Sequence, residues 1–184
     1  MKIKLSKKYI LYEDKKSKSK SFYLKNPYQK IDDKIIEFLK NFSKTNDNSD
    51  VRVCLHEDNK SAHHDMIVLQ NKKNFYKPHM HTKCGDTIMC IDGKMGCFIF
   101  NKFGKITTKT VIKKGEFFKV KEKIYHTFIP LSSKAIFFET RSGPFDPKKK
   151  QLIPSWSPSS EKEKRKFKSF LYSFIIWKKK INVF

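Results

Sequence analysis

Residues 79–93 read His79-Met80-His81-Thr82-Lys83-Cys84-Gly85-Asp86-Thr87-Ile88-Met89-Cys90-Ile91-Asp92-Gly93. Side chains on a β-strand alternate between its two faces, so two histidines separated by a single residue point the same way and form a two-point claw for a metal ion. Asp86 follows with four residues between it and His81, and it begins a second short apolar run that ends at Asp92-Gly93, a strong hairpin signal. Much further along, Gly115 is followed by His126 at the start of another apolar run. Three neutral imidazoles and one carboxylate suit Fe(II), Mn(II), Ni(II) or Zn(II), and an octahedral ion held this way keeps two positions for substrate or water. The candidate metal ligands are therefore His79, His81, Asp86 and His126. Cys84 would extend the claw to His-x-His-x-x-Cys, but its turn position and small size favour a bystander.

Outward from this stretch, short β-type runs recur at close spacing from Val51 to Thr140: 51–56, 66–70, 75–81, 87–91, 95–100, 106–112, 117–120, 126–131 and 135–140. Such regular, turn-separated runs predict an antiparallel sandwich or barrel over residues 51–141. Before it, Ile31, Ile35, Ile36, Leu39 and Phe42 recur at helical spacing with Asp32 and Asp33 in the first turn, which predicts a helix over 30–43. Residues 1–28 are rich in Lys and Ser and read as a flexible basic arm. Residues 143–158 contain Pro144, Pro147, Pro154 and Pro158, and read as an extended strap pinned by Phe145 and Trp156. The final segment, 159–184, holds eight basic and two acidic residues. Within it Phe167, Phe170, Leu171, Phe174 and Ile175 form one apolar stripe on a helix, flanked by lysines, with Trp177 beyond. That stripe fits either an interfacial helix on an anionic inner membrane face or a helix packed on the barrel.

Composition narrows the function classes. The longest charge-free apolar stretch, around Phe170 to Trp177, is far short of the roughly 20 residues of a spanning helix. No secretory pattern opens the chain, so a cytoplasmic location and reduced Cys54, Cys84, Cys90 and Cys97 are expected. The net charge is +23, yet only three of the 41 basic residues are arginine: Arg52, Arg141 and Arg165. Dedicated phosphate and base readers favour the arginine fork, so a specific nucleic-acid binder is the least favoured class.

His-x-His, four residues, an acid, six residues and a glycine resembles the first cupin motif, and Gly115 with the distant His126 resembles the second. Asp86 stands where the acid is usually Glu, and Lys121, Lys123 and Pro130 depart from the second motif. Within the cupins the chain most resembles the WbuC-type metalloproteins, associated with surface-polysaccharide (O-antigen) biosynthesis. That resemblance runs over Arg52, His56, Lys77-Pro78-His79-Met80-His81, Tyr125-His126-Thr127, Phe138-Glu139, Ser142-Gly143-Pro144-Phe145-Asp146-Pro147 and Trp156. It implies a mainly β fold, a cupin jelly-roll barrel with an N-terminal helix over residues 29–158, to which the amphipathic C-terminal helix of 159–184 is added as an appendage beyond the resemblance. It further implies a small, saccharide-like molecule and leaves the reaction open; a metal that polarises a carbonyl or hydroxyl fits an isomerase or epimerase, Fe(II) fits an oxygenase, and the alternative class is a non-catalytic sugar-binding module. Glu139 shares strand parity with Phe137 and is the candidate general base. Lys77, Arg141 and His56 are candidate substrate-binding residues. A homodimer through exposed sheet edges is the expected assembly.

Overall fold

Alternation of apolar and polar residues gives each strand two usable faces, and this chain buries both faces of its main sheet. The computed structural model describes residues 1–6, 9–15, 17, 19–26, 28–144 and 151–176. In chain order the elements are β1 (Lys2–Lys4), β2 (Ile10–Glu13), β3 (Lys20–Leu24), α1 (Asp33–Thr45), β4 (Val51–Cys54), β5 (His63–Asn71), β6 (Met80–His81) and β7 (Asp86–Asp92). There follow β8 (Lys94–Phe100), β9 (Ile106–Lys113), β10 (Phe117–Val120), β11 (Tyr125–Pro130), β12 (Lys134–Ser142), β13 (Gln151–Leu152) and α2 (Glu161–Ile176). One sheet has eight strands in the order β1-β2-β3-β4-β5-β12-β7-β10, and it faces a three-stranded sheet ordered β11-β8-β9. Neighbours pair antiparallel except β3 with β4, which run parallel. The fold is mainly β, a small jelly-roll barrel with two helices, as expected.

Three apolar clusters follow from the alternation. Between the sheets lie Cys54, Met66, Val68, Ile88, Cys90, Ala135 and Phe137 from one side and Met95, Cys97 and Ile112 from the other. On the outer face of the eight-stranded sheet, Val51, Val53, Ile67, Leu69 and Ile136 pack under Ile35, Phe38 and Leu39 of α1. On the outer face of the smaller sheet, Phe98, Phe100 and Ile129 pack against Leu171 of α2.

Residues 1–28 depart from the expected flexible arm. Their Lys/Ser content conceals Leu11, Phe22 and Leu24, each almost fully buried in the cluster beneath α1. Three short strands thereby extend the sheet, and a flexible arm could not have kept those side chains from water. The helix begins at Asp33 rather than residue 30 because Asp32 caps it, accepting the Lys34 N–H at 3.1 Å and a hydrogen bond from the Tyr9 hydroxyl at 2.7 Å.

Of the described part of the strap only Gln151–Leu152 is extended, as β13; Pro154 to Ser157 instead turns, closed by the bond from Ser157 N–H to Pro154 O at 2.9 Å, because proline presets φ for a turn as readily as for an extended chain. Trp156 donates its indole N–H to Lys102 O at 3.0 Å and lies over Gly104, whose φ is +83°. A Cβ at Gly104 would stand 2.8 Å from the Trp156 ring, so only glycine serves there. Phe145 and Pro147 lie outside the described residues, as do Trp177 and the lysines after it.

The apolar stripe of α2 packs on the barrel. Leu171 is fully buried, Ile175 Cδ1 seats against Gly96, and Tyr172 donates its hydroxyl to Pro130 O at 2.6 Å. Lys109 donates to Phe174 O at 2.8 Å, and Lys168 donates to Lys72 O. Of the stripe residues Phe170 stays substantially exposed. Of the two readings of the stripe, the structure shows it packed on protein, because a barrel wall of Phe98, Phe100 and Ile129 offers an apolar surface within the chain. Among the described residues no helix is long and apolar enough to cross a membrane.

Candidate metal centre

At one end of the barrel, side chains from three separate segments meet. His79 and His81 come from the segment at β6, Asp86 from the first position of β7 and His126 from β11. Main-chain bonds link the first and last of these, from His79 N–H to His126 O at 3.1 Å and from His126 N–H to His79 O at 2.8 Å. Two C-terminal contacts brace the claw. β13 pairs with β6, setting Gln151 opposite His81, and Ser157 Oγ donates to Pro78 O at 3.1 Å. His79 itself lies just before the strand, so pairing across to β11, more than strand alternation alone, turns the two imidazoles together at a ring separation of 5.0 Å.

One ligand atom from each of His79, His81, Asp86 and His126 lies within 4.8 Å of the others. His81 Nε2 stands 2.9 Å and His126 Nε2 3.1 Å from the same oxygen, Asp86 Oδ2. The other carboxylate oxygen, Asp86 Oδ1, is buried without a hydrogen-bond partner among the described residues. The imidazoles are oriented by their remaining nitrogens. His79 Nδ1 lies 3.0 Å from Lys77 O and His126 Nδ1 lies 2.8 Å from Ile124 O, and since a carbonyl only accepts, both Nδ1 atoms carry the proton. Each ring then presents a lone pair at Nε2 to the centre, the arrangement in which metal-binding histidines are held. For His126 this has a further consequence. An Nε2 lone pair facing a carboxylate oxygen at 3.1 Å is repulsive unless a cation, a proton or a metal ion, sits with them. Adjacent ligands of an octahedral ion with bonds of about 2.1 Å are about 3.0 Å apart, which agrees with both contacts. The residues present fit a divalent ion.

Burial depresses His79 furthest, helped by the nearby His126 and His81, down to about 3. Burial works to raise the Asp86 carboxyl, but the close contacts of His126 and His81 with its Oδ2 outweigh it and hold the group well below the ordinary carboxylate range. Both shifts favour folding with His79 neutral and Asp86 charged. His79, with a folded pKa below its ordinary 6.5, contributes stability that is present above pH 6.5 and lost as pH falls toward 3, because the unfolded chain then binds the extra proton. Metal-free protein should therefore melt at lower temperature at pH 5 than at pH 7.5, and His79→Gln should flatten that dependence. An unchanged slope in the variant would assign the acid sensitivity elsewhere.

Glu139 and Arg141 stand on β12, facing the barrel interior. Their side chains are 20% and 16% exposed and 3.8 Å apart. Burial pushes the Glu139 carboxyl up, opposed by Arg141 and assisted by Asp86. The structure thus sets Glu139 in the electrostatic neighbourhood of the metal-binding cluster, outside the cluster itself. His56 follows β4 at the same mouth, its Nδ1 3.1 Å from Asp65 O and its pKa lowered chiefly by burial. Lys77 precedes β6 in irregular chain, so strand parity with His79 does not apply to it. Its main-chain oxygen, holding His79 Nδ1, is its visible contribution. Cys84 is buried and outside the four-residue cluster.

His64 lies just before the apolar run at 66–70 and was missed on that ground, yet it is 3% exposed on β5 and stacks on His56 with ring centroids 4.1 Å apart. Its signal was available. His64 shares parity with the buried Met66, Val68 and Gln70, and the strand runs further upstream than its apolar run, as far as His63.

Residues 31–112, less than half of the chain, match the family described as "Domain of unknown function (DUF6016)". No curated protein matches. Among solved structures the chain is similar to KdgF from Halomonas sp., at 14% identity and a TM-score of 0.43, over 54% of this chain and 82% of that one. It is similar to the oxalate decarboxylase of Lactobacillus farciminis in its formate complex, at 15% identity and 0.42, over 50% and 26%. The coconut allergen cocosin matches at 11% identity and 0.40, over 45% of this chain and only 22% of its own length.

Proposed function

We propose that the protein binds one divalent transition metal through His79, His81, Asp86 and His126 and uses it to hold a small polar, sugar-like molecule at the barrel mouth. The observation that carries this reading is the donor set: Nε2 lone pairs converging on Asp86, with the Nδ1–H groups of His79 and His126 fixed by main-chain carbonyls. When bound, the ion supplies Lewis acidity toward a carbonyl or hydroxyl oxygen. Within that frame the chain's own groups have distinct tasks. Asp86 lowers the charge of the site, the carbonyls of Lys77 and Ile124 keep the imidazoles aimed, and the wall of Met66, Ile88 and Phe137 limits water from below. Glu139, its carboxyl raised by burial, is suited to exchange a proton with substrate, which fits an isomerase or epimerase; an Fe(II)-dependent oxygenase is compatible with the same ligands. The resemblance to WbuC-type proteins supports a place in surface-polysaccharide biosynthesis. The second reading, a metal-dependent sugar-binding module without turnover, keeps every binding role and removes the proton transfer.

Elemental analysis of protein purified without chelator or nickel resin tests the centre. Near-stoichiometric metal is expected, and metal-free protein whose Asp86 contacts are held by protons alone would overturn the reading. Where turnover of a sugar is found, Glu139→Gln should reduce it by roughly 10²–10⁴-fold with metal content unchanged, since the amide keeps the shape and loses the proton acceptor. Parallel loss of metal would make Glu139 a structural support of the centre.

A further inference from the structure

Beside the four metal-binding candidates, the inner face of the large sheet carries a polar row. β12 pairs with β7 so that Glu139 opposes Ile88 and Thr140 opposes Thr87, which places Arg141 across from Asp86 one step further. On its other side Arg141 opposes His64 of β5. The bond from Leu55 N–H to Asp65 O at 2.8 Å continues the β4–β5 ladder and brings His56 onto His64, and Tyr23 of β3 meets His56 edge-on at 5.6 Å. Asp86, Arg141, His64, His56 and Tyr23 thus form one line from the metal centre across the sheet. Deeper on the same face is Arg52, held by Ser21 Oγ at 2.5 Å and Ser17 Oγ at 3.0 Å.

Charge and residue choice along this line point to one ligand chemistry. Arg141 stands 3.8 Å from Glu139, and Arg141 and Arg52 bring two guanidinium groups to the face that carries the metal-binding candidates. Arg141 acts electrostatically on both Asp86 and His56, which places its charge between the cluster and the histidine pair. The chain otherwise meets water with lysine, yet two of its three arginines stand on this inner face. Arginine differs from lysine in its rigid fork, which pairs in bidentate fashion with a carboxylate or a phosphate.

We propose that Arg141, with His64, His56 and Arg52 beside it, is a subsite for an anionic oxygen group, carboxylate or phosphate, of the molecule that the metal centre takes. The subsite rests on the metal reading for where the rest of that molecule lies, and its own recognition rests on the arginines. It narrows the substrate class from a polar sugar to an acidic or phosphorylated one.

Isothermal titration of the full-length protein, metal-free and metal-loaded, with malonate, inorganic phosphate and the neutral malonamide tests this. One of the anions should bind and malonamide should not, with malonate or phosphate identifying the group. Arg141→Gln should weaken that binding tenfold or more, Arg141→Lys should restore part of it, and Lys102→Gln on the distant β8–β9 turn should change it less than twofold. Elemental analysis of Arg141→Gln should show unchanged metal. Equal affinity in wild type and Arg141→Gln, or equal losses in Arg141→Gln and Lys102→Gln, would overturn the subsite and leave the metal centre standing. Anion binding that depends on Arg141 in a protein that takes up no metal would support the subsite and overturn the metal reading. Should Arg141→Gln fail to fold, Arg141→Lys and Arg52→Gln carry the comparison by the same criteria.

Discussion

Protein carrying His81→Ala is expected to lose its divalent metal to background on elemental analysis, while wild type purified alongside retains it. His81 is 4% exposed and its Nε2 lies 2.9 Å from Asp86 Oδ2, so the change removes a donor from the middle of the cluster. The three remaining groups cannot replace it: His79 and His126 are fixed by their carbonyl contacts, and Asp86 belongs to a strand with defined pairing. Removing a partner that merely orients a metal ligand costs roughly 10–100-fold in affinity, and loss of the ligand itself should exceed that range. Asp86→Asn should act in the same direction, because the amide loses the only negative charge in the set. Both variants can be checked for folding by thermal melting in the presence of chelator, where wild type is also metal-free. Retention of wild-type metal content in His81→Ala would show that metal, if any, is held elsewhere.

The second large effect concerns α2. Leu171 is fully buried against Phe98, Phe100 and Ile129, and shortening it to alanine leaves a cavity that costs about 2–5 kcal/mol. In a domain of this size that corresponds to a fall in Tm of roughly 4–20 °C. Removing residues 161–184 should be more severe, since it uncovers the whole outer face of the smaller sheet, and aggregation or loss of the cooperative melt is the expected result. A membrane surface would have to compete with the barrel for the same stripe, so vesicle binding by the intact chain should be weak and should not change in Phe167→Ala. A truncated chain that melts at the wild-type temperature would show that the helix is dispensable to the fold.

Some of this was legible in one dimension. His79, His81 and Asp86 lie within eight residues, and period-two alternation marked the runs of β7, β8 and β10 to within a residue or two, because strand periodicity is a local property written in consecutive side chains. Parity alone placed Glu139 and Arg141 on the inward face of β12. The Asp92-Gly93 hairpin followed from the φ of +82° that Gly93 adopts. Other features are set by partners far away in sequence. Nothing near Leu11 or Phe22 says that these isolated apolar residues have a sheet edge and α1 to pack against, so the Lys/Ser content read as an arm. His64 read as loop because its burial depends on His56 and β12. The stripe of α2 showed that the helix needed an apolar surface, and only the packed molecule showed that the surface was Phe98, Phe100 and Ile129. Periodicity tells a side chain which way to point; what it meets there is decided by long-range pairing, whose energy comes from contacts between segments that no local window contains. The sequence therefore determined the strands and the candidate claw, and the tertiary structure decided how His126 joins it, which carbonyls aim it, and that Arg52 is held on the same inner face by Ser21 and Ser17.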